Sequence, residues 1–151
     1  MDSPPPKPAG ETLQFMQRLL DLVHALDVRS KRMAKTLGVT GPQRLVIRVL
    51  GQSPGMTASD IAGTLGMHPS TLTGVLKRLE DHGLLARRAD PADGRRALLR
   101  LTPRGRDVDR LRDGTVEAAV RRTLRRLTPA TARSTRDAAI ALSTELEKLG
   151  G

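Results

Sequence analysis

The stretch that decides the fold covers residues 57–102, TASDIAGTLGMHPSTLTGVLKRLEDHGLLARRADPADGRRALLRLT. It opens with Thr57 and Asp60, spaced like a helix capping pair, although Glu or Gln is preferred at the second position. A short helical pattern then ends at Gly66, and a second one starts at Pro69 and stops before Gly83. Two strand candidates follow, joined by a basic loop. This order predicts a helix-turn-helix unit with a β-hairpin wing.

The second helix of this unit has one apolar and one polar face. Its apolar residues recur at the spacing of a single helical stripe and are Leu72, Val75, Leu76 and Leu79. The other side carries short hydroxyls, a glycine and cations, namely Ser70, Thr71, Thr73, Gly74, Lys77 and Arg78. Small polar residues let a helix backbone come close to base edges in the major groove, and cations meet phosphate. We predict that these six residues contact duplex DNA.

The loop between the strand candidates adds a second basic surface. It contains Pro91, Asp93 and Gly94, which are turn formers, and Arg95 and Arg96 follow directly. A basic-tipped hairpin after a recognition helix is typical of a wing, so we assign both arginines to DNA. We also place Thr57, at the start of the first helix, among the DNA-contacting residues.

Composition narrows the class of partner. The 151 residues carry a formal charge of +10, which favours a polyanion. Phe15 is the single aromatic residue, so stacking of unpaired bases is excluded and double-stranded DNA is the preferred polyanion. Cysteine is absent, and neither a membrane-spanning run nor an apolar signal segment occurs. We expect a soluble cytoplasmic protein with no cofactor, no metal site and no membrane partner.

Patterning on either side of the central unit divides the chain into four parts. Residues 1–10 hold four prolines and are expected to form a disordered arm. Residues 11–39 form an apolar-striped helix, residues 40–102 the winged unit, and residues 103–151 two further helices. The first of these two is expected from residue 104 to 127, with a bend at Gly114. In the helix after Thr40, the expected buried stripe is Leu45, Val46, Val49 and Leu50.

The outer helices carry apolar stripes that require a covering surface. We interpret the segments 11–39 and 103–151 as dimerisation helices, so that two recognition helices face a palindromic operator about one DNA turn apart. The alternative is that they cover the winged unit of their own chain. The predicted class is mainly α with a small β-hairpin, a winged helix-turn-helix domain flanked by dimerisation helices.

The chain resembles the MarR family of bacterial transcriptional regulators. The resemblance is carried by STLT at residues 70–73, VLKRLEDHGLLARR after it, Asp93-Gly94-Arg95 in the wing and LTPRG at residues 101–105. It implies a homodimeric winged-helix protein that binds an operator, usually as a repressor, and releases it when a small-molecule effector or a modification shifts the dimer. It further implies that Asp93 braces the wing by an ion pair while Arg95 enters the minor groove, where guanidinium groups are attracted.

Two features depart from this family pattern. Gly74 stands where the family often has a long polar or basic side chain, which removes a base reader and weakens the helix by about 1 kcal/mol. Specificity would then depend on Thr71, Thr73, Lys77 and the wing. The chain also lacks Tyr and Trp, which argues against stacking of a phenolic effector, and the absence of Cys excludes a peroxide-sensing thiol.

Several other interpretations stay open at this point. The winged unit could bind another protein instead of DNA, although its cationic helix argues against this. An enzyme is disfavoured because no convergent acid–base set is visible. Arg78 could pair with Glu80 or Asp81. A cluster of four arginines, Arg121, Arg122, Arg125 and Arg126, could be a second DNA-facing patch or a solvated, ion-paired face. The scattered His24, His68 and His82 lack metal-ligand spacing and are interpreted as structural or surface residues.

Overall fold

The computed structural model describes residues 10–150 and shows seven helices and one two-stranded sheet in that range. The elements are α1 (Glu11–Leu37), α2 (Gly41–Gln52), α3 (Ala58–Leu65), α4 (Pro69–Asp81), β1 (Leu85–Ala89), β2 (Ala97–Leu101), α5 (Pro103–Arg110), α6 (Val116–Leu124) and α7 (Pro129–Lys148). The predicted mainly α class with one β-hairpin is confirmed. The arm expected at residues 1–10 lies outside the described residues, except for Gly10, which precedes α1.

Helix boundaries follow local signals in the sequence. Five helices begin after a threonine whose side chain accepts a hydrogen bond from the N–H three residues on, at Thr40, Thr57, Thr102, Thr115 and Thr128. At Thr40 and Thr57 the bond is reciprocated by Gln43 and Asp60, which gives two complete capping boxes. Helix α3 ends at Gly66 with φ of 59°, a left-handed conformation that glycine adopts without strain.

The core lies between α2, α3, α4 and the inner face of the hairpin. It includes Ile47, Ile61, Leu76 and Leu99, none of which is more than 1% exposed. The strands pair antiparallel with Leu85 opposite Leu101, and the side chains of alternate residues point to the core. A bridge between Met56 and Leu99 joins the turn after α2 to β2. The hairpin is thereby fixed to the helices, and residues 91–96 at its tip are exposed.

Helix α2 buries a different stripe from the predicted one. Leu45 is 45% exposed, so its assignment to the core is wrong. Its neighbour Arg44 is only 1% exposed and is buried in its place. The Arg44 guanidinium donates to the carbonyl oxygens of Val108, Asp109 and Leu111 at the end of α5. These bonds compensate the burial of the charge, which the apolar pattern alone does not reveal.

The helix predicted over residues 104–127 is two helices with a break between them, so the expectation of one bent helix is wrong. Helix α5 ends at Arg110, Leu111 is extended with ψ of 123°, and Gly114 has φ of 72°. Thr115 then caps α6. A left-handed glycine followed by a new N-cap stops helical hydrogen bonding, which a gradual bend would have preserved.

The chain separates into two compact units, one ending at Arg112 and the other beginning at Asp113. In the first unit, Ser30 of α1 accepts a hydrogen bond from Gly41 N–H, whereas much of α1 carries exposed apolar side chains. In the second unit, α6 and α7 contain no buried residue, and the four arginines of the cluster at residues 121–126 are exposed. Among the described residues, no helix combines the length and the hydrophobicity needed to cross a membrane.

Candidate nucleic-acid interface

Helix α4 presents one face to solvent because the other is fixed in the core. Its four predicted stripe residues are all buried, as the periodicity indicated. The N-terminus is held by His68, whose Nδ1 lies 2.8 Å from Ser70 Oγ and accepts Ser70 N–H at 3.4 Å. His68 is therefore a helix cap, a structural role that fits its interpretation from the sequence. Pro69 occupies the first turn, where its missing N–H is not needed.

The solvent side of α4 brings together the six residues assigned to it from the sequence. All six are exposed: Ser70, Thr71, Thr73, Gly74, Lys77 and Arg78. Ser70, Thr71, Gly74 and Arg78 line an open cavity of about 300 Å³ that is bounded on its other side by the first turn of α2. Apart from its chain neighbours and the adjacent backbone of α4, no described residue has an atom within 4 Å of the position that a Cβ would take at Gly74, so the backbone here is open to approach.

Ion pairs on α4 are weak and leave its cations available. Lys77 Nζ lies 3.1 Å from Asp81 Oδ2, and the Lys77 side chain is 73% exposed. Exposed pairs one turn apart contribute only about 0.3–0.5 kcal/mol, so phosphate competes easily for the ammonium group. Arg78 is bound to neither of the acids considered from the sequence, since Asp81 contacts Lys77 and Glu80 contacts Arg87.

The wing is a tight turn braced by two aspartates. Asp90 accepts the N–H of Ala92 at 2.9 Å, and Asp93 accepts the N–H of Arg95 at 3.1 Å. The backbone closes through Arg96 N–H, which donates to the Asp93 carbonyl at 2.9 Å. Arg95 Nε lies 3.7 Å from Asp93 Oδ1, and the Arg95 side chain is 95% exposed. The turn therefore presents the Arg95 guanidinium group almost fully to solvent.

A salt bridge between Arg87 and Glu80 was missed from the sequence. Arg87 Nε lies 2.7 Å from Glu80 Oε1, so the wing strand β1 is tied to α4. Arg87 is opposite Leu99 in the register and thus shares the inner sheet face. The alternation along β1 was the available signal, because it placed Arg87 on the same face as the buried Leu85. This bond fixes the wing relative to the recognition helix.

Thr57 differs from the rest of the predicted set because it is buried. Its hydroxyl donates to Asp60 Oδ2 at 2.7 Å and accepts Asp60 N–H at 3.2 Å. The hydrogen bond from the Thr57 side chain, with a second from its backbone N–H and the charge of Arg96, holds the pKa of Asp60 below its usual value of 3.8. Because its hydroxyl is engaged in the cap, we assign Thr57 to the positioning of α3 and not to contact with DNA.

The sequence of this unit matches known proteins. Residues 37–96 match the MarR family model. The chain is 39% identical over 92 residues to the HTH-type transcriptional repressor Rv2887 of Mycobacterium tuberculosis, a match that covers 61% of this chain. The winged unit of the chain is therefore similar to that of the MarR family. The match spans 66% of the repressor, just under two thirds of its length.

Solved MarR structures share this fold along nearly the whole chain. The crystal structure of the M. tuberculosis MarR family protein Rv2887 is 29% identical, with a TM-score of 0.56 over 94% of this chain and 98% of that one. The PcaV transcriptional regulator of Streptomyces coelicolor, solved with its natural ligand, is 26% identical, with a TM-score of 0.66 over 95% of this chain and 98% of that one. The resemblance to MarR proteins inferred from sequence motifs is confirmed.

Proposed function

We propose that the chain is a homodimeric transcriptional regulator that binds a palindromic operator in double-stranded DNA and acts as a repressor. The observation that carries the proposal is the pairing of an exposed cationic α4 face with a wing arginine held almost fully in solvent. Helix α4 would enter the major groove and Arg95 the flanking minor groove. The repressor and regulator names of the relatives support this role, and with it a protein that is not an enzyme.

The proposed contacts divide by the information they carry. Thr71, Thr73 and Gly74 lie on the exposed face of α4 and would approach base edges, whereas Lys77 and Arg78 would meet phosphate. Arg95 and Arg96 would read groove width at the wing, with Asp93 as their brace. Ser70, beside the helix N-terminus, would bind a backbone phosphate.

A dimer is proposed because the outer helices expose their apolar stripes. Leu20 and Val23 of α1 are 65% and 60% exposed, and Leu146 of α7 is 58% exposed. Apolar surface of this extent is unfavourable in water and indicates an interface. We propose the division into residues 11–39 and 103–151 as dimerisation helices and residues 40–102 as the DNA-binding domain.

An effector response is the remaining part of the proposal. PcaV was solved with its natural ligand, which supports ligand control in a relative of this chain. For this chain we propose a cytoplasmic repressor that a small molecule releases from its operator. No observation favours the alternative of a protein-binding winged helix without DNA.

A gel-shift experiment with the promoter region upstream of the chain's own gene tests the function. We expect a discrete complex that survives excess random-sequence duplex, with an affinity that falls steeply with salt because phosphate contacts release counterions. Protection mapping should show two half-sites one helical turn apart. Binding that random duplex removes entirely, or a single protected half-site, would contradict a sequence-specific dimer.

A further inference from the structure

A pocket on the side of the DNA-binding unit plays no part in the function proposed above. It has a volume of about 290 Å³ and lies where the end of α2, the turn after it, the end of β2 and helix α5 meet. Its polar lining includes Arg100, Arg106 and Asp109, and its apolar lining includes Leu50, Pro54 and Leu101. All of these residues belong to the compact unit that ends at Arg112.

Two guanidinium groups in this pocket have no carboxylate partner among the described residues. Arg100 makes no ion pair there and lies against Gly55, with Nη2 3.5 Å from the position of a Cβ on that glycine. Arg106 donates to the carbonyl of Leu101 at 3.1 Å, which leaves its charge uncompensated. Both side chains are exposed, and both face the same small volume.

The carboxylate at the pocket does not neutralise them. Asp109 Oδ1 lies 2.5 Å from Arg48 Nη1 and 3.9 Å from Arg112 Nη1, so its charge is shared by two other arginines. Arg110, which also lines the pocket, is paired with Asp107 at 3.0 Å. The surroundings therefore hold five guanidinium groups and two carboxylates, and an anion is the species that this excess attracts.

The number of free guanidinium groups and the apolar lining indicate which anion fits. A phosphate monoester is close to doubly charged at neutral pH, and its three terminal oxygens can accept from two guanidinium forks at once. A monocarboxylate offers one charge and two oxygens. Leu50, Pro54 and Leu101 provide contact for a short carbon skeleton, which an inorganic anion does not need.

We propose that this pocket binds a small organic phosphate monoester, with the phosphoryl group on Arg100 and Arg106 and the carbon body against Leu50 and Pro54. Arg100 lies on β2 and Arg106 on α5. The bound phosphate therefore joins two elements that otherwise meet only at the base of the hairpin. The site is separate from the DNA contacts proposed above, and its test does not depend on them.

Calorimetric titration of the full chain in phosphate-free buffer tests the proposal, with glycerol 3-phosphate as the probe. We expect one molecule bound per chain, no binding of glycerol, and weaker binding of inorganic phosphate and of succinate. Arg100→Gln and Arg106→Gln should each lower the affinity at least about tenfold, the usual effect of losing a hydrogen bond to a charged group. Arg88→Gln on the outer face of β1 and Arg104→Gln on α5, which do not line the pocket, should bind as the wild type does.

Because the Arg100 side chain makes no hydrogen bond or ion pair among the described residues, Arg100→Gln is the variant least expected to disturb folding, and its melting curve checks this. Absence of glycerol 3-phosphate binding would overturn the proposal, as would equal losses in the Arg88 and Arg104 controls. If succinate or inorganic phosphate binds as tightly as glycerol 3-phosphate does, the assignment of the ligand as a phosphate monoester is wrong. If Arg100→Gln instead flattens the salt dependence of DNA binding and the probe does not bind, the arginines are DNA-backbone contacts and the proposal fails.

Discussion

Arg95 is the side chain on which the proposed wing contact depends most directly. It is 95% exposed, and its pairing with Asp93 at 3.7 Å is too loose to hold it against phosphate. We expect Arg95→Ala to weaken operator binding and to reduce the slope of log affinity against log salt by about 1 per contact. Gel shifts at several salt concentrations measure this. Arg32→Ala on α1 is the matched control, and equal slopes for both variants would exclude Arg95 from the interface.

Gly105 is required where α5 begins. A Cβ at this position would lie 2.0 Å from the carbonyl oxygen of Leu84 and 3.3 Å from Leu101 Cβ. That carbonyl cannot withdraw freely, because it accepts Thr102 N–H at 3.1 Å. We expect Gly105→Ala to destabilise the protein by about 3 kcal/mol, as overpacking of a core does. Chemical denaturation measures the change, and a variant of wild-type stability would show that the contact can relax.

Gly74 provides the opposite case. Apart from its chain neighbours and the adjacent backbone of α4, a Cβ there meets no atom of a described residue within 4 Å, so Gly74→Ala should stabilise α4 by up to about 1 kcal/mol through helix propensity. If DNA approaches the backbone closely at this point, the same variant should bind the operator more weakly although it is more stable. Denaturation and gel shifts on one preparation separate the two effects. Unchanged affinity would place Gly74 outside the contact surface.

At the scale of single elements, the cap of α3 responds to pH. The folded pKa of Asp60 is lowered chiefly by the hydrogen bond from the Thr57 side chain, so the ionised carboxylate stabilises the fold. This stabilisation is complete above the usual Asp pKa of 3.8 and is lost as pH falls through the lower folded value. We expect the difference in melting temperature between wild type and Asp60→Asn to be constant near neutral pH and to shrink in acid. Thr57→Val, which removes the main cause, should weaken that dependence, and a pH-independent difference would contradict it.

The end of α5 depends on a buried arginine of α2. Arg44 donates to the carbonyl groups of Val108, Asp109 and Leu111 at the end of α5, and it is only 1% exposed. Arg44→Met should therefore remove three charge-assisted hydrogen bonds at the end of α5 and cost about 3 kcal/mol in stability. Arg44→Lys should recover part of it, since one ammonium cannot reach all three acceptors. Gln52→Ala, exposed on the same helix, should change stability by less than about 0.5 kcal/mol, and an equally small effect at Arg44 would refute the clamp.

What the sequence predicted about the elements follows the range of the interactions involved. The cap at Thr57 and the buried stripe of α4 depend on residues within one or two turns, and they were predicted correctly. Arg44 is buried by acceptors more than 60 residues away, so no local pattern could place it. The salt bridge between Arg87 and Glu80 likewise depends on how β1 packs on α4. The break before α6 was indicated by Gly114, but its full extent required knowing what holds the end of α5.

At the scale of the whole molecule, the exposed stripe of α1 predicts association. Val23→Glu places a charge on that stripe, so we expect the dimer to dissociate at concentrations at which the wild type remains dimeric, and operator affinity to fall with it. Analytical ultracentrifugation measures the change. Gln17→Glu adds the same charge on α1 away from the stripe and should leave the dimer intact. A wild-type chain that sediments as a monomer would remove the basis for a two-fold operator.

More of the candidate site than of the assembly could be predicted from the sequence. Apart from Thr57, the eight predicted contact residues and their brace Asp93 are all exposed on α4 or the wing, because amphipathic spacing and turn formers determine them. Thr57 was misleading because a capping threonine and a phosphate-binding threonine look alike before the burial of the side chain is known. The partner surface of the outer helices cannot be found from one chain, since its apolar stripe is compatible with intramolecular or intermolecular burial.

The threonine starts of five helices have a consequence for the order in which the chain acquires its structure. Each boundary is fixed by a bond spanning three residues, so its position needs no distant partner, although the short helices need tertiary packing to be stable. The hairpin is also closed locally. The helix boundaries and the hairpin turn can thus be set during synthesis, whereas the core between α2, α3, α4 and the hairpin and the seating of Arg44 must wait for distant partners.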